Sequence, residues 1–244
     1  MTRWPDDWIL PDWPAHPRVR ACITTRTGGG SESPFDSFNL AVHVGDDPDA
    51  VDANRRRLQQ IIYCNPAWLS QVHSSIAVEA DPRACPTADA SWTAEAGVAC
   101  SVLTADCLPV LFSDRAGTRV AAAHAGWRGL AGGVLEATVA AMHTSGNQLI
   151  AWLGPAIGQS AFEVGGEVRD AFVSQHAEAV GAFVPSANAG RFMADIYQLA
   201  RIRLHKCGIA EVYGGGFCTV SDARFYSYRR AAVTGRFASL IWLV

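Results

Sequence analysis

Residues 104–133, TADCLPVLFSDRAGTRVAAAHAGWRGLAGG, decide how the chain is organised. An acid and a thiol stand side by side, Asp106 and Cys107. The apolar run Leu108–Phe112 reads as a strand. A turn at Arg115–Gly117 follows, then a small-residue strand, Val120–His124. A Gly-rich turn at Gly126–Gly129 carries Trp127 and Arg128. It opens a helix over about 130–144, with Val134, Leu135, Val139 and Met142 inward. The reactive residues thus stand at strand ends facing loops, where a rigid sheet presents binding and catalytic groups.

Working outward, Val98–Leu103 is an apolar strand that delivers the chain to this segment. Upstream, Val19–Thr25 reads as a first strand running into Arg26 and Gly28–Gly30, a plain glycine loop on its own evidence. Asp46 or Asp47 before Pro48 starts a helix over 48–62, with Val51, Leu58, Ile61 and Ile62 inward and Arg55–Arg57 outward. Trp68–His73 reads as a short strand with Ile76–Glu79 as its hairpin partner, and 81–97 as loop. Downstream come a strand at Leu149–Leu153, a helix from Gly165 or Gly166 to about His176, and a weakly patterned connection over 177–192. A helix over Ala194–Lys206 stops at Gly208, and strands follow at Glu211–Tyr213, Phe225–Tyr228 and Phe237–Leu243. Residues 1–18 are an irregular lead-in that Trp4, Trp8 and Trp13 pin to the body, and 19–244 form a single domain. Helices interleaved with apolar strands define an α/β or α+β sandwich whose strand order is not readable.

The chain has 244 residues, of which 49% are hydrophobic, enough for a real core in one large domain. Its net charge of −3 excludes the overall basic field that nucleic acid or an anionic membrane requires. No apolar run approaches membrane-span length. The acidic, proline-broken start MTRWPDDWILPDWP is unlike a secretion signal, so a cytoplasmic protein is expected. Seven cysteines without CxxC spacing do not make a disulfide framework.

The groups able to do chemistry are His73, Cys107 and His124. One thiolate and two imidazoles are a good metal set that leaves a fourth position open. The same atoms equally make a nucleophilic pair, with Cys107 attacking and His124 or His73 as base. Asp106 adjoins Cys107 but faces the other way along an extended chain, so a structural role is expected. Arg26, Arg128 and Arg229-Arg230 are candidates for holding an anion, and Phe35, Trp127, Tyr226 and Tyr228 for lining a slot for a planar base.

The phrases TTRTGG (24–29), NLAVHVGDDP (39–48), WLSQVHS (68–74), ADAS (88–91), TADCLPVLF (104–112), AAAHAGWRGL (121–130), AWLGPAIG (151–158) and FYSYRR resemble the YfiH family from about residue 19 to the C-terminus. Members have been called laccase-domain or polyphenol oxidase proteins, purine nucleoside phosphorylases and, in some bacteria, peptidoglycan editing factor. The resemblance implies a mixed-sheet sandwich similar to the catalytic domain of cytotoxic necrotizing factors. It implies one Zn²⁺ on His73, Cys107 and His124, beside a purine nucleoside pocket. Arg26, Arg128, Arg229 and Gln71 are the residues expected here to contact substrate or phosphate. The implied activities are phosphorolysis of adenosine, inosine and methylthioadenosine, and adenosine deamination. The alternative is a hydrolase that removes Ser from a UDP-muramoyl amino acid. A copper-dependent polyphenol oxidase is disfavoured, because the chain lacks the paired His-x-His segments of coupled copper sites. Two departures are Ser74 and Ala41, each where the family commonly has Gly.

Overall fold

The computed structural model describes residues 4–244. In chain order the elements are β1 (Val19–Ile23), α1 (Pro48–Ile62), β2 (Asn65–Ala67), β3 (Ala77–Glu79), β4 (Ala90–Thr93), β5 (Val98–Thr104), β6 (Leu108–Asp114) and β7 (Val120–Ala125). Then follow α2 (Trp127–Gly132), α3 (Val134–Ala141), β8 (Leu149–Leu153), β9 (Glu163–Gly165), α4 (Gly166–Val173), β10 (Phe183–Pro185), β11 (Arg191–Ala194), α5 (Ile196–Lys206), β12 (Val212–Gly214) and β13 (Phe237–Leu243).

The strands form a six-stranded mixed sheet ordered β12-β8-β6-β7-β4-β3, a four-stranded sheet ordered β1-β13-β5-β2, and a small three-stranded sheet ordered β10-β11-β9. The two larger sheets pack face to face. Strand alternation assigns the faces. Cys100 and Val102 of β5, Leu111 of β6, Ala122 of β7 and Ile241 of β13 meet between the sheets. Val110 and Phe112 of β6 and Ala121 and Ala123 of β7 point the other way, against α3, α4 and α5. Ala99, Leu103, Leu240 and Trp242 cover the outer face of the smaller sheet against Leu58 and Ile62 of α1. The result is helix, sheet, sheet, helices: a mixed-sheet α+β sandwich.

Several elements stand where the sequence puts them. Asp47 caps α1, its side chain accepting from the Asp49 N–H, and Pro48 occupies the first turn. Trp8 is buried, and Trp4 packs on Trp8 and Trp242. Trp13 packs against the core between the sheets, so the described part of the lead-in is pinned as expected.

Other elements differ. Residues 68–73 are not a strand. Ser70 makes a single bridge to Thr87, and β3 pairs with β4 in parallel rather than forming a hairpin. β4 itself lies inside the stretch expected to be loop; Ala90 and Trp92 do alternate with Ser91 and Thr93, but a four-residue run does not stand out among its Pro-, Ala- and Asp-rich neighbours. The expected helix over 130–144 is two helices, because Gly133 takes φ +96° between them. The weak pattern at 177–192 conceals β10 and the start of β11, both short and half-exposed. Phe225–Tyr228 is not a strand. Phe225 and Tyr226 are fully buried, but turn bonds such as Phe225 N–H to Asp222 C=O and Ala231 N–H to Ser227 C=O replace a ladder. The N–H groups of Gly29 and Gly30 bond to Ser37 Oγ and Asn54 Oδ1, so the glycine turn is closed internally.

Candidate metal centre and active site

Register brings the reactive residues to one edge of the six-stranded sheet. β6 and β7 are antiparallel with Leu108 opposite Ala125, so the residue before β6 and the end of β7 adjoin. These are Cys107 and His124. β4 is antiparallel to β7 with Ala90 opposite Ala123, which brings Asp89 beside His124. β3 runs parallel to β4 with Ala77 opposite Ala90, so the 72–76 segment comes to the same edge.

His73 is held there by an unusual local device. The buried Asp89 carboxylate accepts from the N–H groups of Val72 (3.2 Å), His73 (3.0 Å) and Ser74 (2.6 Å), and from Ser74 Oγ (2.7 Å). Wrapping three successive N–H groups around one carboxylate bends the chain, and His73 sits at φ +62°. Ser74 thus strengthens the turn with its own hydroxyl. His73 therefore arrives on a carboxylate-centred loop and not on the end of a strand.

Asp89 has a second task. Its Oδ1 lies 2.8 Å from Nδ1 of His124, which leaves Nε2 as the free nitrogen of that ring. Cys107 Sγ lies 3.6 Å from His73 Nε2, and one ligand atom from each of His73, Cys107 and His124 falls within 4.8 Å of the others. Gly126 lets the backbone pass close by. A Cβ there would stand 2.6 Å from His73 Cδ2 and 2.9 Å from Cys107 Sγ.

The electrostatics make the sulfur a thiolate. Burial pushes the Cys107 thiol up, but the charge of His124 and hydrogen bonds from His124 and His73 outweigh it and bring it down to about 6. Burial pushes His124 down, while Cys107 and Asp89 raise it to about 9. Burial pushes Asp89 up, and bonds from His124 and Ser74 outweigh that, holding its carboxyl well below the usual range. A thiolate, two imidazoles and a carboxylate on the far nitrogen of one imidazole fit a metal ion: donor set and orienting partner are both present.

The site lines a cavity of about 390 Å³. Trp127, Ile157, Phe162, Ile196 and Tyr228 supply apolar wall, and Arg128, Arg229 and Arg236 supply cationic wall. Of the contacts expected from sequence, Arg128 and Arg229 line the cavity; the Arg128 guanidinium lies 4.4 Å over the Trp127 ring. Gln71 also lines it, but its amide is engaged with both backbone groups of Leu103. Arg26 is not among the lining residues. Its guanidinium is held by Asp36 at 2.8 Å and lies over the Tyr226 ring. Asp106 lines the same cavity as Cys107, because the chain bends there (φ +89°) instead of running extended as expected; its carboxylate accepts from Thr219 Oγ1 (2.5 Å) and the Arg229 N–H (2.6 Å), which is a structural role.

Sequence reading missed Asp89, His43 and Arg236. Asp89 stood in a Pro- and Ala-rich stretch with only the ADAS phrase to mark it. His43 stood in the NLAVHVGDDP phrase and Arg236 shortly before the last strand, with no signal that the fold brings them together.

Fold and site together define a mixed-sheet α+β protein with a His/Cys/His set able to hold a metal ion at the edge of a cationic cleft. The chain belongs to the laccase-domain family that includes YfiH: the family described as multi-copper polyphenol oxidoreductase laccase matches residues 20–244. It is 69% identical over 237 residues to a Pseudomonas aeruginosa protein named purine nucleoside phosphorylase PA4543, covering 97% of this chain and 98% of that one. It is 51% identical over 241 residues to Escherichia coli purine nucleoside phosphorylase YfiH, covering 97% and 98%. Among solved structures, Neisseria meningitidis protein NMB0706 superimposes with a TM-score of 0.95 at 52% identity, over 98% of this chain and 99% of that one. YlmD from Geobacillus stearothermophilus gives 0.88 at 29% identity, over 99% and 98%.

Proposed function

We propose that this chain is a purine nucleoside phosphorylase whose metal is zinc, held by His73, Cys107 and His124. The observation that carries the reading is the cleft. A metal donor set, an aromatic wall and a cationic wall share one cavity, large enough for a nucleoside, in a chain 69% identical to a protein named for this activity. A soft thiolate with imidazoles suits zinc, and zinc when bound supplies a Lewis acid.

In phosphorolysis a phosphate oxygen forms a bond to C1′ of the ribose as the C1′–N9 bond breaks, and the purine leaves with the bonding pair. Trp127, Phe162 and Tyr228 offer faces for the planar base, and the arginines offer donors for the phosphate. The chain's work is to hold the two reactants together and to screen the phosphate charge. Inosine, adenosine and methylthioadenosine are the expected substrates. Nucleoside and phosphate are both cytoplasmic metabolites, and the reading carries that location with it.

The test is incubation with each nucleoside and inorganic phosphate, with free base and ribose 1-phosphate measured together. Cys107→Ala is expected to lose zinc and both products. Full turnover by a zinc-free Cys107→Ala protein would sink the reading. Ammonia release from adenosine in the same assay tests the added deaminase activity.

A second reading has its own support. Cys107 Sγ and His73 Nε2 are 3.6 Å apart with the thiol held ionised, a geometry that also suits an amide hydrolase acting on an anionic UDP-muramoyl amino acid. Release of Ser from that substrate, without nucleoside cleavage, would favour it.

A further inference from the structure

One cation in the cleft is built in and unpaired. The Arg236 guanidinium is half-buried in the cavity lining, and its hydrogen bonds run from Nη1 to the carbonyls of Thr234 (2.9 Å) and Gly235 (2.9 Å). Among the described residues no bond or ion pair engages Nε or Nη2. Burial opposes the charge of Arg236, while Cys107 and Asp106 favour it, so the guanidinium lies within electrostatic reach of the thiol. His43 lines the same cavity, feels Arg236, and likewise has no hydrogen-bond partner among the described residues.

The backbone holds residues 39–41, two positions before the exposed His43, against Arg236. The buried Asn39 accepts through Oδ1 from the N–H groups of Arg236 (2.9 Å) and Ala41 (3.0 Å), and donates through Nδ2 to Ala41 C=O (3.1 Å) and Asp46 Oδ2 (2.8 Å). The Leu40 N–H bonds to Arg236 C=O. Gly235 keeps the turn tight, since a Cβ there would stand 2.7 Å from the Tyr226 ring and 2.9 Å from Asn39. The charge balance is one-sided. Asp106 is the carboxylate among the described lining residues, and its oxygens are already taken by Thr219 and the Arg229 N–H. Three arginines therefore line the cavity with the Cys107 sulfur as their anionic counterpart there and no free carboxylate among the described lining residues.

We infer that Arg236 and His43 form the oxyanion subsite of the cleft, where a phosphate-sized dianion docks beside the donor set. The inference rests on the phosphorylase reading for the identity of the anion. Nε and Nη2 of Arg236 make a fork that matches two oxygens of one phosphate, and a ring N–H of His43 reaches a third. Arg229, tied through Nη1 and Nη2 to the carbonyls of Ala161 and Glu163, adds charge rather than a free fork.

The test is calorimetric titration of inorganic phosphate, and separately of sulfate, into the metal-loaded protein without nucleoside. Arg236→Gln is expected to weaken phosphate binding roughly tenfold or more, Arg236→Lys to restore part of it, and His43→Gln to weaken it by a smaller factor. Metal content and the circular dichroism spectrum serve as fold controls, and Arg236→Lys decides the case if Arg236→Gln misfolds. In the coupled assay KM for phosphate rises while KM for nucleoside holds. Phosphate binding unchanged in both Arg236 variants, or wild-type protein that binds neither anion, would overturn the subsite. Arg236-dependent anion binding without nucleoside cleavage would leave the subsite standing and remove the phosphorylase reading. Nucleoside cleavage with an unaltered phosphate KM in Arg236→Gln would do the reverse.

Discussion

The Asp89 carboxylate stands 2.8 Å from His124 Nδ1 and, with its remaining capacity, holds the N–H groups of Val72, His73 and Ser74. One buried acid therefore orients one metal donor and folds the loop that carries another. Asp89→Asn keeps the shape but halves the acceptor capacity, because its nitrogen faces donors. The expected result is a 10- to 100-fold loss of metal affinity, measured by competition with a chelator. Asp89→Ala leaves several buried donors unpaired and should cost about 3 kcal/mol or more in unfolding free energy, read from denaturant titration. Unchanged metal affinity in Asp89→Asn would reject this role.

The same acid sets a pH dependence. Its folded pKa lies below the ordinary value of 3.8, so its stabilising contribution is complete above that value and is lost as pH falls through the depressed pKa. The thermal midpoint of metal-free wild type is expected to fall more steeply with acid below about pH 4 than that of Asp89→Asn. Parallel acid limbs in the two proteins would contradict the assignment.

Cys107 and His124 titrate against each other. The thiol is lowered from 9.0 to about 6, so its contribution is complete above pH 9 and is lost as pH falls through about 6. His124 is raised from 6.5 to about 9, so its contribution is complete below pH 6.5 and is lost as pH rises through about 9. The two slopes oppose one another over the shared range, and metal-free stability should be nearly level there. Alkylation of Cys107 in metal-free protein should show a midpoint near pH 6. His124→Gln should move that midpoint upward, since His124 is the main group lowering it. An unmoved midpoint would place the cause elsewhere.

Gly126→Ala tests how closely the backbone approaches the site. The added Cβ would overlap His73 Cδ2 at 2.6 Å and Cys107 Sγ at 2.9 Å, so at least one donor has to move. Overpacking of this kind costs about 1–3 kcal/mol, with weaker metal binding in a protein that still folds. A variant with wild-type metal stoichiometry, affinity and melting temperature would show the contact to be slack.

Most of the framework was legible from local pattern. The runs Val98–Leu103, Leu108–Phe112, Val120–His124 and Phe237–Leu243 are apolar and continuous because these strands are covered on both faces, and each is a strand in the structure. Asp47-Pro48 announced α1 because capping is a matter of adjacent residues. What failed was what depends on a distant partner. Residues 68–73 have strand composition, yet a carboxylate 16 and 17 positions from His73 and Val72 took the N–H groups of those two and bent the chain. Phe225 and Tyr226 are buried without belonging to any ladder, because aromatic burial does not demand one.

By itself the sequence determined a sandwich core of the α/β or α+β kind, the strands on either side of Cys107, and the three residue types whose chemistry suits a metal. Only the tertiary structure decided that the donors meet, that Asp89 governs two of them, that Arg26 turns away to Asp36, and that His43 and Arg236 share the cleft. The division follows from range. Helix caps, turns and apolar periods arise from neighbours along the chain, whereas strand register and the capture of N–H groups by a buried acid arise from residues that folding alone makes adjacent.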